Sequence, residues 1–144
     1  MTASLRLDDQ LCFSLYTASR LVTRAYAPLL ADLGLTYPQY TAMLALWEAG
    51  TPLTVGELGA RLHMENGTLT PLLKRLETAG LIDRVRDSAD ERRVLLTLTP
   101  AGTQLRARAC DIPGSISRRY GGDPERIAAL KQVLDLLVDT LDRE

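Results

Sequence analysis

Cys12 and Cys110 are the chain's two thiols, and His63 is its single imidazole. The cysteines lie far apart with no CxxC spacing, so no metal site is expected and no cofactor is implied. Cys12 falls in the first turns of a predicted helix. Tyr16, Ser19, Thr23 and Tyr26 follow it at i+4, i+7, i+11 and i+14, close to one helical face. They form a polar stripe beside Leu11, Phe13, Leu15 and Leu21. A helix N-terminus favours a thiolate, and a phenol hydroxyl hydrogen-bonds one. No Lys, Arg or His adjoins Cys12 in sequence, so activation would rest on those effects or on groups brought in by folding. On one straight helix Cys12 and Tyr26 stand about 21 Å apart. If both serve one site, Tyr26 comes from a partner chain. Periodicity alone favours a blander reading, a buried structural thiol beside tyrosines that simply pack.

A second group of residues has the chemistry of DNA recognition. A helix entering the major groove needs small and hydroxyl side chains near its start and long cations further on. In the segment from Asn66 to Leu76, Leu69, Leu72, Leu73 and Leu76 fall on an inward face, leaving Thr68, Thr70, Pro71, Lys74 and Arg75 outside. An ordinary amphipathic helix with solvated charges reads the same way, and this segment alone leaves both readings open. Arg84 and Arg86, then Arg92 and Arg93, flank a polar turn from Asp87 to Glu91. An Arg on a protruding ribbon suits a narrow minor groove, and Asp90, two residues before Arg92, is placed to orient its guanidinium through a bidentate pair. The alternative is a solvated hairpin whose acids Asp83, Asp87, Asp90 and Glu91 compensate its cations. His63, in the turn before the Asn66 helix, reads as a phosphate contact or, more simply, as a solvated turn residue.

These residues need elements to hold them. Asp8 or Asp9 is placed to cap a first helix reaching towards Leu33, with Gly34 as its stop and Pro28 kinking it or ending it early. Thr36-Tyr37-Pro38 opens a second helix closed by Gly50. Thr54-Val55-Gly56-Glu57 is a capping box for a short third helix to about Leu62. Asn66 caps a fourth, through Thr78 to Gly80. The period then changes to strand-like alternation over Leu81–Arg86 and Arg92–Leu98. Thr99-Pro100 begins another helix, broken at Ile112-Pro113-Gly114, after which a further helical piece is allowed. Asp123-Pro124 starts the last helix, where Ile127, Leu130, Leu134, Leu137 and Leu141 form one apolar stripe. The fold class predicted is mainly α with a small β wing: a winged helix-turn-helix over 54–99 within a single domain spanning 1–144. Residues 1–50 and 100–144 would be dimerisation helices, because reading modules of this kind usually engage two half-sites.

Composition sets the outer limits. With 46% hydrophobic residues over 144 positions the chain has enough apolar material for one cored domain. Its apolar runs are broken by charge well before the roughly 18 residues of a membrane span, and Met1–Asp9 lacks the apolar core of a secretory signal. The expectation is a cytoplasmic protein with no membrane partner and, in a reducing cytosol, free thiols. The formal net charge of −1 gives no support to DNA binding by bulk charge. Any such binding needs a local patch and geometry.

The run from Asp90 to Gly102 matches the wing pattern DxRxxxLxLTxxG and resembles the MarR family of regulators. Three further segments are similar to its OhrR branch, the organic-hydroperoxide sensors: Leu7–Tyr16, Leu35–Tyr40 and Gly67–Arg75. The resemblance extends over nearly the whole chain. It implies a homodimer with a winged helix on each chain, acting on a double-stranded, pseudo-palindromic DNA operator. It also implies that Cys12 is the peroxide-sensing thiol, that Tyr26 and Tyr37 hold its sulfur from the partner subunit, and that Tyr16 lies nearby. In two-cysteine members the resolving thiol lies beyond the wing on the other chain. Cys110 occupies that general region and is a possible resolving thiol, although a buried bystander is the preferred reading. The function implied is a repressor that leaves its operator when an organic hydroperoxide oxidises Cys12. A second reading keeps the DNA binding but makes the signal a small aromatic ligand. A third, a thiol peroxidase, lacks a recycling thiol pair or a cofactor motif and leaves the winged helix unexplained, so no enzyme is expected.

Overall fold

Three threonines set the helix starts around which the chain is organised. In the computed structural model, which describes residues 4–143, the Thr36 hydroxyl accepts from the Gln39 backbone N–H while the Gln39 side chain accepts from that of Thr36. Thr54 and Glu57 make the same reciprocal pair. Thr99 accepts from the Gly102 N–H and donates to the Gly80 carbonyl. Each satisfies N–H groups that a helix start otherwise leaves unpaired. The helices they open are α2 (Tyr37–Ala49), α3 (Val55–Leu62) and α5 (Pro100–Ala109).

The full order is α1 (Leu11–Ala31), α2, β1 (Leu53–Thr54), α3, α4 (Asn66–Thr78), β2 (Ile82–Arg86), β3 (Val94–Leu98), α5, α6 (Ile112–Arg119) and α7 (Pro124–Leu141). The antiparallel sheet runs β1-β3-β2, with Ile82 opposite Leu98 and Arg86 opposite Val94. The expected fold class is the one observed: mostly helical, with a small sheet behind a helix-turn-helix. Residues 1–3 and 144, the ends of the 1–144 domain, lie outside the described residues.

Several boundaries differ from expectation. Asp8 and Asp9 do not cap α1. They lie in a short 3-10 turn, Leu7–Asp9, and Gln10 precedes the helix without a side-chain cap. Pro28 sits inside α1, which runs on to Ala31. Glu65, not Asn66, is the N-cap of α4. Arg92 and Arg93 precede β3 instead of starting it, because Asp90 accepts from the Arg92 N–H and folds those residues into the turn. Ile112-Pro113-Gly114 opens α6, since proline fits a first helical turn, and the break falls one step earlier, at Cys110-Asp111. The two-residue β1, which pairs Leu53 with Leu96, was not expected.

The core joins α2 to the reading unit. Met43, Leu46, Leu58, Leu69, Leu73, Leu76, Ile82 and Leu96 are all buried, so the inward face expected for α4 is observed. Trp47 donates its indole N–H to the Gly102 carbonyl at 2.9 Å. Gly102 must lack a side chain, because a Cβ there would collide with the Leu81 carbonyl. Among the described residues, α7 buries none. Ile127, Leu134 and Leu137 are half-buried, whereas Leu130, Val133, Leu136, Val138 and Leu141 are exposed. The apolar surface of α7 is therefore broader than the predicted stripe, and it does not pack into the chain's own core.

Candidate DNA interface and thiol site

Packing the leucines of α4 inward leaves Thr68, Thr70, Pro71, Lys74 and Arg75 exposed on one accessible side. Lys74 and Arg75 have no acidic partner among the described residues, so their charge is uncompensated. Thr70 donates its hydroxyl back to the Asn66 carbonyl at 2.8 Å, which leaves its oxygen free to accept. The helix is held against α3, whose Gly59 lies too close to the Met64 carbonyl to carry a Cβ without a shift.

The wing sorts its four arginines. Arg92 projects with a side chain 92% exposed, and its Nε lies 3.2 Å from Asp90 Oδ1. The expected pairing is present, but not as a bidentate fork. One carboxylate oxygen takes both the Arg92 Nε–H and its backbone N–H, a consequence of closing a turn over two residues. Arg93 turns the other way, towards Asp87 and Glu57, tying the wing to α3. Arg84 faces Glu77 of α4 at 3.5 Å. Arg86 is exposed near the turn, with Nη1 3.5 Å from the Glu91 carbonyl. His63 adopts a left-handed conformation at the end of α3, and its Nδ1 lies 3.1 Å from Asp142 Oδ2, just beyond α7. Neither sequence reading of His63 included that contact, which spans 79 residues.

Both thiols are exposed in the single chain. Neither is therefore buried within its own chain, as the blander readings of Cys12 and Cys110 have it, while the choice between resolving thiol and bystander for Cys110 stays open. Leu105 and Ala109 occupy the inward face of α5, so Cys110, the next residue, is turned out, with its S–H donated to the Arg106 carbonyl. Within one chain Cys12 and Tyr26 remain at opposite ends of the unbroken α1. Tyr16 lies beside Cys12, exposed, with the Arg20 guanidinium 5.2 Å from its ring centre. At the far end Tyr26 and Tyr37 pack with ring centres 4.9 Å apart, and Tyr40 lies 5.8 Å from Tyr26. Burial, reinforced by the neighbouring Tyr120, Tyr37 and Tyr40, pushes the Tyr26 phenol far up from its ordinary value. Burial and then Tyr120 raise Tyr37, and burial and then Tyr37 raise Tyr40. All three therefore stay protonated and available as donors. Sequence reasoning found Tyr26 and Tyr37 and missed Tyr40 and Tyr120. Tyr40 follows Tyr37 by one helical turn, a signal available in the sequence, but Tyr120 is joined to the group only by the fold.

Residues 24–108 match the family described as transcriptional regulator SarA/Rot. Over 140 residues the chain is 48% identical to the organic hydroperoxide resistance transcriptional regulator of Bacillus subtilis (strain 168), covering 97% of this chain and 95% of that one. The chain belongs to the MarR family, in its OhrR branch. Among solved structures, this regulator is similar to AbfR, known from Staphylococcus epidermidis. Reduced AbfR bound to DNA shares 36% identity, with a TM-score of 0.76 and coverage of 95% of each chain. The disulfide-formed AbfR shares 37% over 93% of each chain, with a TM-score of 0.61. Overoxidized AbfR bound to DNA matches equally well, with a TM-score of 0.77, so the regulator's backbone resembles the DNA-bound forms more than the disulfide form. These relatives are transcriptional regulators, not enzymes, and no described helix of this chain is long and apolar enough to cross a membrane.

Proposed function

We propose that this regulator is a homodimeric repressor that binds double-stranded operator DNA and releases it when an organic hydroperoxide oxidises Cys12. The observation that carries this reading is the division of one site between the ends of α1. An exposed Cys12 stands at the start and a cluster of protonated tyrosines at the other end, about 21 Å away. A two-fold pair of chains with α1 helices reversed against each other places the thiol of one beside Tyr26 and Tyr37 of the other. The apolar surfaces of residues 1–50 and 100–144, above all Leu11, Leu21, Leu130, Val133 and Leu136, supply the interface, and 54–99 reads the DNA. The operator is then pseudo-palindromic, with one half-site per chain.

In this mechanism Thr68, Thr70, Pro71, Lys74 and Arg75 enter the major groove. Arg92, held by Asp90, reaches the minor groove, with Arg84 and Arg86 towards the backbone. The Cys12 thiolate attacks one peroxide oxygen and the O–O bond breaks. The cysteine becomes a sulfenic acid, and the departing alkoxide takes a proton to leave as an alcohol. Condensation with a second thiol, from Cys110 or a small cellular thiol, forms a disulfide and releases water. Loss of the hydrogen bonds from Tyr26 and Tyr37, with Tyr16 at the rim, lets the first helices shift and moves the two reading units out of register. The name of the hydroperoxide-resistance relative and the reduced and disulfide forms of AbfR favour this cysteine chemistry over release by a small aromatic ligand.

The test is operator binding with and without an organic hydroperoxide, followed by intact-mass analysis. Wild-type protein is expected to lose DNA as Cys12 gains oxygen. Cys12→Ser is expected to bind DNA and ignore the peroxide. Peroxide-driven release by Cys12→Ser would sink the reading.

A further inference from the structure

The wing is braced against both helices of the reading unit. Arg84 on β2 faces Glu77 of α4, and Arg93, at the foot of β3, faces Glu57 of α3. The second brace is the more heavily built. The Arg93 backbone N–H donates to the Asp90 carbonyl and its carbonyl accepts from the Asp87 N–H, both at 2.9 Å, which closes the turn. Its guanidinium lies between two carboxylates, with Nη1 3.7 Å from Asp87 Oδ2 and Nη2 3.9 Å from Glu57 Oε1. Asp87 is fixed in turn, because its Oδ1 accepts from the Ala89 N–H. Glu57 is fixed as well. Its other oxygen, Oε2, accepts from the Thr54 N–H at 2.8 Å in the capping box of α3. One carboxylate thus joins the first turn of α3, and β1 through Thr54, to the foot of the wing. α3 itself packs against α4. The contacts run from α4 through α3 and Glu57 to Arg93, whose neighbour in sequence is the projecting Arg92.

We propose that Arg93 and Glu57 are positioning residues for operator recognition: their ion pair sets the reach of the wing relative to α4, so that Arg92 meets the minor groove when α4 is seated in the major groove. This rests on the reading of Arg92 as the wing's groove contact. Both partners of the pair are half-exposed, and such a pair adds little to the stability of the fold. Its effect on recognition is larger, because a contact constellation works only when its supporting residues hold it within about 0.5 Å of the productive geometry. A wing already fixed in the free protein also has less freedom to lose on binding.

The experiment uses the reduced full chain and a fluorescently labelled duplex selected from random-sequence DNA by the parent protein. Affinity is measured for the parent, Glu57→Gln, Arg93→Gln and the double variant, each with and without Arg92→Ala. Glu57→Gln keeps an oxygen for the Thr54 N–H, so the cap survives, and denaturation midpoints near the parent's are expected throughout. Glu57→Gln carries the sign test. Removing an acid beside a polyanion strengthens binding by charge alone, whereas opening the brace weakens it. Glu57→Gln and Arg93→Gln are each expected to weaken binding by about threefold to tenfold, and the double variant to lose no more than Arg93→Gln alone. The loss caused by Arg92→Ala is expected to shrink by about threefold or more once the brace is open. Unchanged or tighter binding by Glu57→Gln overturns the brace. An Arg92→Ala loss of full size in the Arg93→Gln background overturns it too. A parent indifferent to Arg92→Ala overturns the wing reading on which the brace rests.

Discussion

Arg92 and Arg93 are neighbours in sequence with opposite electrostatic settings. Asp90 steadies Arg92 in the open, whereas Arg93 faces Asp87 and Glu57. Arg92→Ala is expected to weaken operator binding by about 1–3 kcal/mol, as for loss of one good groove contact. Unchanged affinity at moderate salt with the fold intact would remove the wing from DNA reading. At the thiols, Cys110→Ser separates two subtypes of sensor. A disulfide needs Cα atoms within about 7 Å, so a Cys12–Cys110 bridge between chains requires α1 to move. Non-reducing electrophoresis after peroxide treatment decides the matter. A covalent dimer that disappears in Cys110→Ser would make Cys110 the resolving thiol, whereas no covalent dimer, with release still supported by a small thiol, would leave it a bystander. The Asp90–Arg92 pair was legible in sequence because two-residue spacing dictates it. The His63–Asp142 and Arg93–Glu57 contacts were not, since nothing local to either partner announces a group that folding brings from far along the chain.

Among the elements, the helix starts were the most legible and the short strand the least. Thr36, Thr54 and Thr99 announce their helices through side-chain chemistry confined to four residues. β1 has two residues, too few for any alternation to register, and exists only because β3 offers it an edge. The Cys110-Asp111 break was misplaced because proline and glycine read equally as a stop and as a start. The Thr99–Gly102 corner makes a sharp stability prediction. Gly102→Ala forces a methyl group against the Leu81 carbonyl and strains the Trp47 hydrogen bond. The expected cost is about 1–3 kcal/mol, typical of overpacking, read as a lower midpoint in chemical denaturation. Thr54→Ala, which removes half of a capping box, is expected to cost about 1 kcal/mol by the same measurement.

At the scale of the whole molecule, α7 is the unfinished part of the single chain. Its predicted stripe was legible from spacing, but the sequence left open whether that stripe packs on the chain's own core. The exposure of Leu130 and Val133, 61% and 63%, favours a second chain as their cover. It also makes them cleaner probes than Leu134 and Leu137, which are half-buried against their own chain. Leu130→Asp combined with Val133→Asp is expected to leave each chain folded and shift sedimentation towards monomer, with operator affinity falling as the dimer is lost. A dimer of undiminished stability would place the interface elsewhere.

Trp47 is the chain's only tryptophan, and its indole bridges α2 to the first turn of α5 in a buried setting. The molecule therefore carries its own optical gauge at the joint between the reading unit and the C-terminal helices. Emission that shifts in step with Cys12 oxidation would locate the motion at this joint. Emission that holds constant while DNA is released would mean that α2, the winged helix and the start of α5 travel as one rigid piece, with the displacement confined to how two such pieces face each other.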